Sequence, residues 1–439
     1  MIRSSSKISL ARYERDSLDA QSHEKLLHIP NPKKSDVESK IYSHFIKTSW
    51  IVMTDETLQP KGISSYSVSS EAHFLLNLTV RVRIPKIRSV AQGIKVSLTP
   101  DFMHHFVKNI TFEAPPIKQT FDSVWFNIYR QYFLNKEASK KKQYDESIGN
   151  IETLVLPQKE LESKELRLYV PLWFSDLPKA FPLVCCGEKT RSNIRVTIEY
   201  EEDITKLIRV YEQISGGYKV RAYSNSDSKI ITIGEISKPE IHAHYALCTE
   251  SEAKWIKKEK IQIRIPDIIS INPSTEIIPS TSLIVNTFPD EQITGLYWVF
   301  ENMRATKTND KSNYTTNNID YLSGSDPLKH VSLIYDTMAK YDKATPSVLR
   351  DMEYWFSKTI PERHGYYSIS LSDNGLDSRL NEMKVESAFN LRSLRTQIIF
   401  NIEEPGAEKT KESRYKLKLR LLNQKCYTIS NGQIKEGIE

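Results

Sequence analysis

Histidine pairs are the residues of this chain whose spacing could support metal or acid–base chemistry. His242 and His244 are two residues apart, so in a strand both side chains lie on one face and could bind one metal ion. No third Cys, His or carboxylate follows at a ligand spacing, which favours a polar strand face instead. His104 and His105 would point to opposite sides of a strand, and we find neither a serine elbow nor an HExxH motif. The histidines therefore predict no metal site and no catalytic site.

Two further stretches have the residue types of a functional site. The sequence GEKT at 187–190 ends like a phosphate-binding loop, but the first glycine of that motif would fall at position 182, which is Pro182. An acidic cluster follows, which we interpret as the solvated end of a strand: Glu199, Glu201, Glu202 and Asp203. Neither stretch predicts a bound cofactor.

The cysteines and the apolar content indicate the environment of the chain. There are four cysteines, of which Cys185 and Cys186 are adjacent, and their spacing fits neither a disulfide framework nor a zinc site. We therefore expect a reducing compartment. The first sixteen residues lack the apolar core of a signal peptide, and no run approaches the roughly 18 apolar residues of a membrane span. These features predict a soluble, cytosolic protein.

The charge balance argues against a dedicated nucleic-acid binder. Lys plus Arg number 61 and Asp plus Glu 55, which leaves a net charge of only +6 over 439 residues. Two basic runs, Lys140–Lys142 and residues 254–260, could contact a membrane or nucleic acid, but such runs are more often solvated faces. We expect no specific nucleic acid as a partner.

Strands with one buried and one polar face are the main secondary-structure signal. Residues 74–84 alternate with a period of two, and the apolar set is Phe74, Leu76, Leu78, Val80, Val82 and Ile84. Residues 193–200 alternate in the same way. Similar short strands lie on both sides of the polar stretch 249–260, which indicates two all-β halves.

Helices and loops are predicted at a few places only. Aromatic residues recur every three or four positions within 120–143 after a plausible Thr120 cap, so one helix is expected there, with Lys140–Lys142 at its C-terminal end. A second helix is predicted in PSVLRDMEYWFSK at 346–358. The polar stretch 305–326 has no apolar period and predicts an exposed loop. Such a composition is typical of a sandwich or barrel, and periodicity alone does not choose the topology.

A family resemblance chooses among these topologies. YVPLWF at 169–174 and AFPL at 180–183 resemble the signature Y-(I/V)-P-L-x-F, loop, A-L-P-L of the major capsid proteins of nucleocytoplasmic large DNA viruses. In the second half, Phe288 with LYWVF at 296–300 is similar to the family's F-N-H-P…L-x-W strand, and GYYS at 365–368 resembles G-(V/I)-Y-x-Y-S-F. The resemblance extends over roughly 43–437. It departs from the family at 185–188, where CCGE replaces a Tyr-His-Glu strand, and in lacking the glycine-rich start and the late P-S-G.

The resemblance implies an all-β fold of two tandem eight-stranded antiparallel jelly rolls, with one or two short helices in loops. Residues 1–42 would be an N-terminal arm, 43–248 the first jelly roll, 249–260 a linker and 261–439 the second jelly roll. It also implies a structural viral capsid protein and not an enzyme. The catalytic, cofactor and metal sites would all be absent.

The implied function is assembly. Three copies would form a homotrimer with a pseudo-hexagonal outline, and such capsomers would tile an icosahedral shell in the virion after assembly in the host cytoplasm. Loops such as 303–325 would form the outer tower, and the arm would face minor capsid proteins or an internal membrane. The alternatives are a minor capsid or scaffold protein of the same fold, or a non-viral jelly-roll glycan-binding protein.

Overall fold

A computed structural model describes most of the chain after position 46. The described residues are 47–56, 61–69, 71–134, 138–175, 180–320, 322–356, 360–371, 388–403 and 413–437. The predicted N-terminal arm lies outside them. Strands and helices are numbered below along the chain.

The first half is a sandwich of two four-stranded antiparallel sheets. One sheet has the order β1 (Lys47–Val52), β14 (Glu240–Leu247), β3 (Phe74–Ile84) and β9 (Lys164–Tyr169). The other has the order β2 (Ile63–Ser67), β10 (Arg195–Tyr200), β6 (Val107–Ala114) and β7 (Ile117–Asp122).

The second half repeats this arrangement. Its first sheet has the order β15 (Ile261–Ile271), β24 (Tyr415–Ser430), β18 (Gln292–Asn302) and β21 (Tyr366–Ser370). Its second sheet has the order β17 (Ser282–Val285), β23 (Gln397–Ile402), β19 (Leu328–Tyr335) and β20 (Met338–Ala344).

The two halves share one topology. If the eight sandwich strands of each half are counted along the chain, one sheet always has the order first, eighth, third, sixth, and the other the order second, seventh, fourth, fifth. Eight antiparallel strands in two such sheets form a jelly roll. The expected fold class, two tandem eight-stranded jelly rolls, is therefore confirmed.

Each half also contains short strands in addition to its eight sandwich strands. In the first half, β5 (Ile94–Leu98), β11 (Ile208–Ile214) and β12 (Gly217–Ala222) form one small sheet, and β4 (Ile87–Ser89), β8 (Glu160–Leu161) and β13 (Ile231–Ile233) form another. In the second half, three short strands extend the first sheet: β16 (Glu276–Ile277), β22 (Phe389–Asn390) and β25 (Gln433–Glu436).

The described residues contain eight short α-helices. They are α1 (Phe102–Phe106), α2 (Ser123–Tyr132), α3 (Ala138–Ile148), α4 (Glu152–Val155), α5 (Glu188–Arg191), α6 (Glu250–Ile256), α7 (Met303–Thr306) and α8 (Pro346–Phe356). All lie between sandwich strands. Helix α6 occupies most of the predicted linker because Thr249 and Glu252 form a capping box at its start.

The prediction of one helix within 120–143 is wrong in two respects. Thr120 lies in strand β7, and the helix cap is Asp122, whose carboxylate accepts the Trp125 amide hydrogen at 2.7 Å. Helix α2 then ends at Tyr132, and Lys140–Lys142 belong to the separate helix α3. Strand β7 continues through Thr120, so the helix can begin only after Asp122, and the Asp122 carboxylate caps it.

Strand alternation places the cores as the sequence predicts. All six apolar residues assigned to one face of 74–84 are buried, and Ile194, Val196 and Ile198 are buried as well. The second half has its own core around Trp298, whose ring centroid lies 5.5 Å from that of Phe400 and 5.6 Å from that of Tyr367. A further apolar surface lies between the two halves, and it contains the site described next.

Candidate functional site

The junction between the two jelly rolls is the most extensively built polar and aromatic site of the described residues. Helix α2 of the first half packs on the outer face of the first sheet of the second half. There Tyr297 meets Tyr132 and Phe133, with ring centroids 5.1 and 5.3 Å apart. Because strand residues alternate, Tyr297 and Val299 join the core of the first half while Trp298 joins that of the second.

A buried carboxylate with two guanidinium groups lies at one side of the junction. Asp101, fully buried, accepts hydrogen bonds from Arg363 at 2.6 and 3.3 Å, and the Arg130 Nε lies 3.9 Å away. Arg130 in turn binds Asp145 through two bonds of 2.6 and 2.7 Å. Burial opposes ionisation of Asp101, but Arg363 and Arg130 outweigh it and hold its pKa well below the usual range. Two charged arginines and two carboxylates thus compensate one another.

The polar stretch 305–326 forms the other side of the junction, so the prediction that it is an exposed loop is wrong. Asn309 donates to the Ile208 carbonyl at 2.8 Å, and Arg209 lies 3.5 Å from the Asp310 carboxylate. Asn313 also donates to Asp310 at 3.1 Å. Burial raises the pKa of Asp310, and Arg209 and Asn313 partly offset this effect. The tip of the stretch is exposed, with Ile319 at 60% and Leu322 at 73%.

His104 and His105 belong to this junction and not to a strand, contrary to the sequence interpretation. Both lie in helix α1 and are buried. His104 is 2.9 Å from the side-chain oxygen Oδ1 of Asn127 and 2.9 Å from the Tyr144 hydroxyl, and His105 is 2.7 Å from the Ser312 hydroxyl. Burial lowers the pKa of His104 to about 4 and that of His105 to about 3. Both imidazoles are therefore neutral near pH 7 and act as hydrogen-bonding core residues.

The other histidine pair lies on the surface of the first jelly roll. His242 and His244 share one face of β14, as predicted. His244 stacks on Trp50 of β1, with ring centroids 4.5 Å apart, and His242 is 3.3 Å from Glu240. Within the described ranges no three His, Cys, Asp or Glu side chains converge to hold a metal ion. Here the pair forms part of an aromatic strip.

The GEKT stretch and the acidic cluster have structural contacts. The Gly187 amide and the Thr190 hydroxyl donate to the Gly432 carbonyl at 2.7 and 2.9 Å, which ties the first jelly roll to the end of the second. Glu201 is buried between Lys108 and Lys206, both at 3.1 Å, so its assignment to a solvated strand end is wrong. Burial opposes ionisation of Glu201, but these lysines lower its pKa.

All four cysteines lie within the described residues, and no disulfide joins them. Three of the four are buried, and burial raises the pKa of both Cys185 and Cys186 to about 12, so they are protonated and unreactive near pH 7. Among the helices that the structure describes, none combines the length and apolar character of a membrane span.

A shallow apolar cavity lies in the second jelly roll, beside the β19–β20 hairpin. Its volume is about 710 Å³, and its lining includes Tyr335, Met338, Phe389 and Leu394. The Lys340 ammonium lies 5.0 Å from the centroid of the Phe389 ring. The exposed surface of the cavity is mostly apolar, so its lining suits apolar contact.

Sequence reasoning missed the charged residues of the junction. Asp101, Arg130, Asp310 and Arg363 carry no periodic signal, and their partners are distant along the chain. The sequence gives one indication of them: the polar stretch 305–326 is long for a loop in a compact domain, and such stretches are often functional.

Sequence comparison finds viral relatives. The chain is 24% identical over 348 residues to the major capsid protein of Invertebrate iridescent virus 6, covering 71% of this chain and 72% of that protein. It is 23% identical over 372 residues to the major capsid protein of Invertebrate iridescent virus 3, covering 76% of each. No protein-family model matches the chain. These relatives are capsid proteins and not enzymes, in agreement with the expectation from the sequence.

Structure comparison finds the same fold. The VP54 protein of PBCV-1 superposes with a TM-score of 0.66 at 12% identity, covering 91% of this chain and 98% of that one. The Faustovirus major capsid protein has a TM-score of 0.66 at 9% identity and covers 97% of both chains. With the repeated strand order, these similarities show a double jelly-roll fold and make the chain similar to the major capsid proteins of nucleocytoplasmic large DNA viruses.

Proposed function

We propose that this chain is a major capsid protein that assembles into homotrimeric, pseudo-hexagonal capsomers, which tile an icosahedral virus shell. The observation that carries the proposal is the identical strand order in both halves. Two similar lobes per chain give six similar lobes per trimer, so a threefold ring acquires a nearly sixfold outline. The names of the iridescent virus relatives support the same role.

The domain division that goes with this role is 43–248 and 261–439 for the two lobes, joined by 249–260. The fixed angle between the lobes matters for tiling, and the buried charges of Asp101 and Arg363 support a rigid junction. The arm at 1–42 would contact minor capsid proteins or an internal membrane. Assembly would take place in the host cytoplasm and end in the virion capsid.

Sedimentation and electron microscopy of the purified protein test this proposal. We expect a species of about three times 50.8 kDa, with interfaces that bury about 2,000 Å² or more per pair, and hexagonal plates or honeycomb sheets in negative stain. A monomer at micromolar concentration that forms no plates contradicts the proposal and favours a monomeric jelly-roll binding protein.

A further inference from the structure

The two jelly rolls differ in how much of their first sheet is covered. In the second half the outer face of this sheet is buried under the first half, through β15, Tyr297 and Val299 among others. In the first half the equivalent edge strand is β1, and the described residues leave it open. Trp50 is 52% exposed and Val52 is 51% exposed.

The open face is an aromatic strip with polar neighbours. Trp50 and Val52 pair in register with His244 and His242 of β14, so all four side chains lie on the outer face. Asn77 continues this face on β3, where its amide nitrogen is 3.5 Å from the His244 Nδ1. Burial lowers the pKa of His244 to about 4, so the stacked ring is neutral near pH 7 and suits an apolar contact. An exposed edge strand with such residues is a ready site for association.

The contact inside the chain indicates what would cover this strip. Within the chain, the fifth strand of the first half, β7, lies beside β15, and Gln119 donates to the Pro266 carbonyl at 2.6 Å. Helix α2 starts directly after β7 and packs on the outer face of the second-half sheet. The covering surface is therefore the fifth strand and the helix that follows it.

The second half has an open copy of that covering surface. Its fifth strand is β20, which is exposed along most of its length, with Met338 at 75%. Helix α8 begins two residues after β20 ends, and Val348 in its first turn is 44% exposed. The chain thus has one covered pair of surfaces. It also has one equivalent strip and one equivalent covering surface that no described residue covers.

We propose that the strip around Trp50 and His244 binds β20 and α8 of a second copy of this chain, repeating between subunits the contact that β7 and α2 make within one. This inference rests on the proposed capsomer and names its subunit interface. The contact is head to tail, because the strip and the covering surface are different parts of the chain. Six equal steps, three within chains and three between them, close the ring.

Three glutamate variants and their mixture test the interface by sedimentation velocity. Trp50→Glu alters the strip, Val348→Glu alters the covering surface, and Ile284→Glu is the control. Ile284 is 54% exposed on β17, at the opposite edge of the sheet from β20. We expect the two interface variants to sediment near 50.8 kDa and the control to remain trimeric like the wild type. Burying an unpaired charge at an interface centre should raise the apparent dissociation constant by about 30-fold or more.

Mixing distinguishes a head-to-tail contact from a symmetric one. A Trp50→Glu copy keeps its covering surface and a Val348→Glu copy keeps its strip, so the mixture should form a heterodimer of about twice 50.8 kDa. If the glutamate variants precipitate, Trp50→Ala removes the ring without a charge and should dissociate at higher concentration than the wild type. A Trp50→Glu trimer with the wild-type melting temperature overturns this interface and leaves the capsomer proposal intact. A monomeric wild type overturns both.

Discussion

At the scale of single residues, the charges at the junction are stable only as a set. The fully buried Asp101 carboxylate has Arg363 at 2.6 Å and Arg130 at 3.9 Å, and each guanidinium compensates the cost of burying a negative charge. Removing one member leaves a partner buried and unpaired, which costs more than the pair itself contributes. The junction should therefore be sensitive to single substitutions that keep the volume of the side chain.

Arg363→Met is expected to destabilise the folded protein by about 3–5 kcal/mol, because it leaves the Asp101 carboxylate with weaker compensation in a buried site. The matched control is Arg395→Met, since Arg395 is exposed and lies 3.9 Å from an exposed Asp336. A surface pair of this kind contributes about 0–1 kcal/mol. Denaturant unfolding of both variants measures the difference, and equal effects would contradict the description of Asp101 as a buried, arginine-dependent charge.

The buried histidines predict a pH dependence of stability. Their pKa values, about 4 for His104 and about 3 for His105, lie below the ordinary value of 6.5, so unfolding binds protons. Stability is full above about pH 6.5 and falls as the pH decreases towards the folded values, by about 3 kcal/mol for His104 alone. Asp101, Arg130 and Lys311 face these rings, and Asp101 loses its stabilising charge only at still lower pH.

The test is the melting temperature between pH 7.5 and 4.5 for the wild type and for His105→Gln. The glutamine amide can still donate to the Ser312 hydroxyl, which lies 2.7 Å from His105, but it does not titrate. We expect the variant to lose less stability on acidification. Parallel curves for the two proteins would show that His105 contributes nothing to the acid sensitivity.

At the scale of secondary-structure elements, the start of β21 is locked against the polar stretch 305–326. Gly365 has a φ of +88°, and a Cβ there would lie 2.3 Å from the Tyr314 carbonyl oxygen. Gly216, at the tip of the β11–β12 hairpin, has a similar φ of +96° but open space around it. The two positions share the backbone strain and differ only in the collision.

Gly365→Ala is therefore expected to cost several times the stability that Gly216→Ala costs, which should be about 1 kcal/mol from the positive φ alone. Chemical denaturation of the two variants gives the comparison. Similar losses for both would indicate that residues 305–326 yield easily and do not hold β21 in place.

Elements with a clear period were predictable from the sequence, and elements held by distant partners were not. The alternation of apolar and polar residues in 74–84 predicts which side chains are buried, because successive side chains of a strand lie on opposite faces. The stretch 305–326 is polar by composition, yet Asn309 and Asp310 are buried, Asn309 donating to the Ile208 carbonyl and Asp310 lying 3.5 Å from Arg209. A hydropathy pattern carries no information about hydrogen bonds and ion pairs between residues that are distant in the sequence. Likewise, Asp122 rather than Thr120 starts helix α2, a choice that depends on where strand β7 ends.

At the scale of the whole molecule, the two jelly rolls share apolar surface as well as charges. Tyr297 and Val299 of the second half belong to the core of the first, together with Ile265 and Leu422. A junction with this much apolar and aromatic contact resembles a domain core more than a transient contact between domains. It follows that the two halves should not unfold independently.

Calorimetry of full-length variants of two neighbouring residues on β18 tests this coupling. The wild type is expected to show one thermal transition, because loss of either half exposes the apolar junction of the other.

Trp298→Ala removes a ring that is buried in the second core alone and should cost about 3–5 kcal/mol, lowering the temperature of that single transition without dividing it. Tyr297→Asp instead puts an unpaired charge against Tyr132 and Phe133, which weakens the junction while leaving the core around Trp298 filled. It should divide the transition into two. If Tyr297→Asp unfolds in one step at the wild-type temperature, the halves are coupled by something other than this aromatic contact, and the buried charges of Asp101 and Arg363 become the next residues to test.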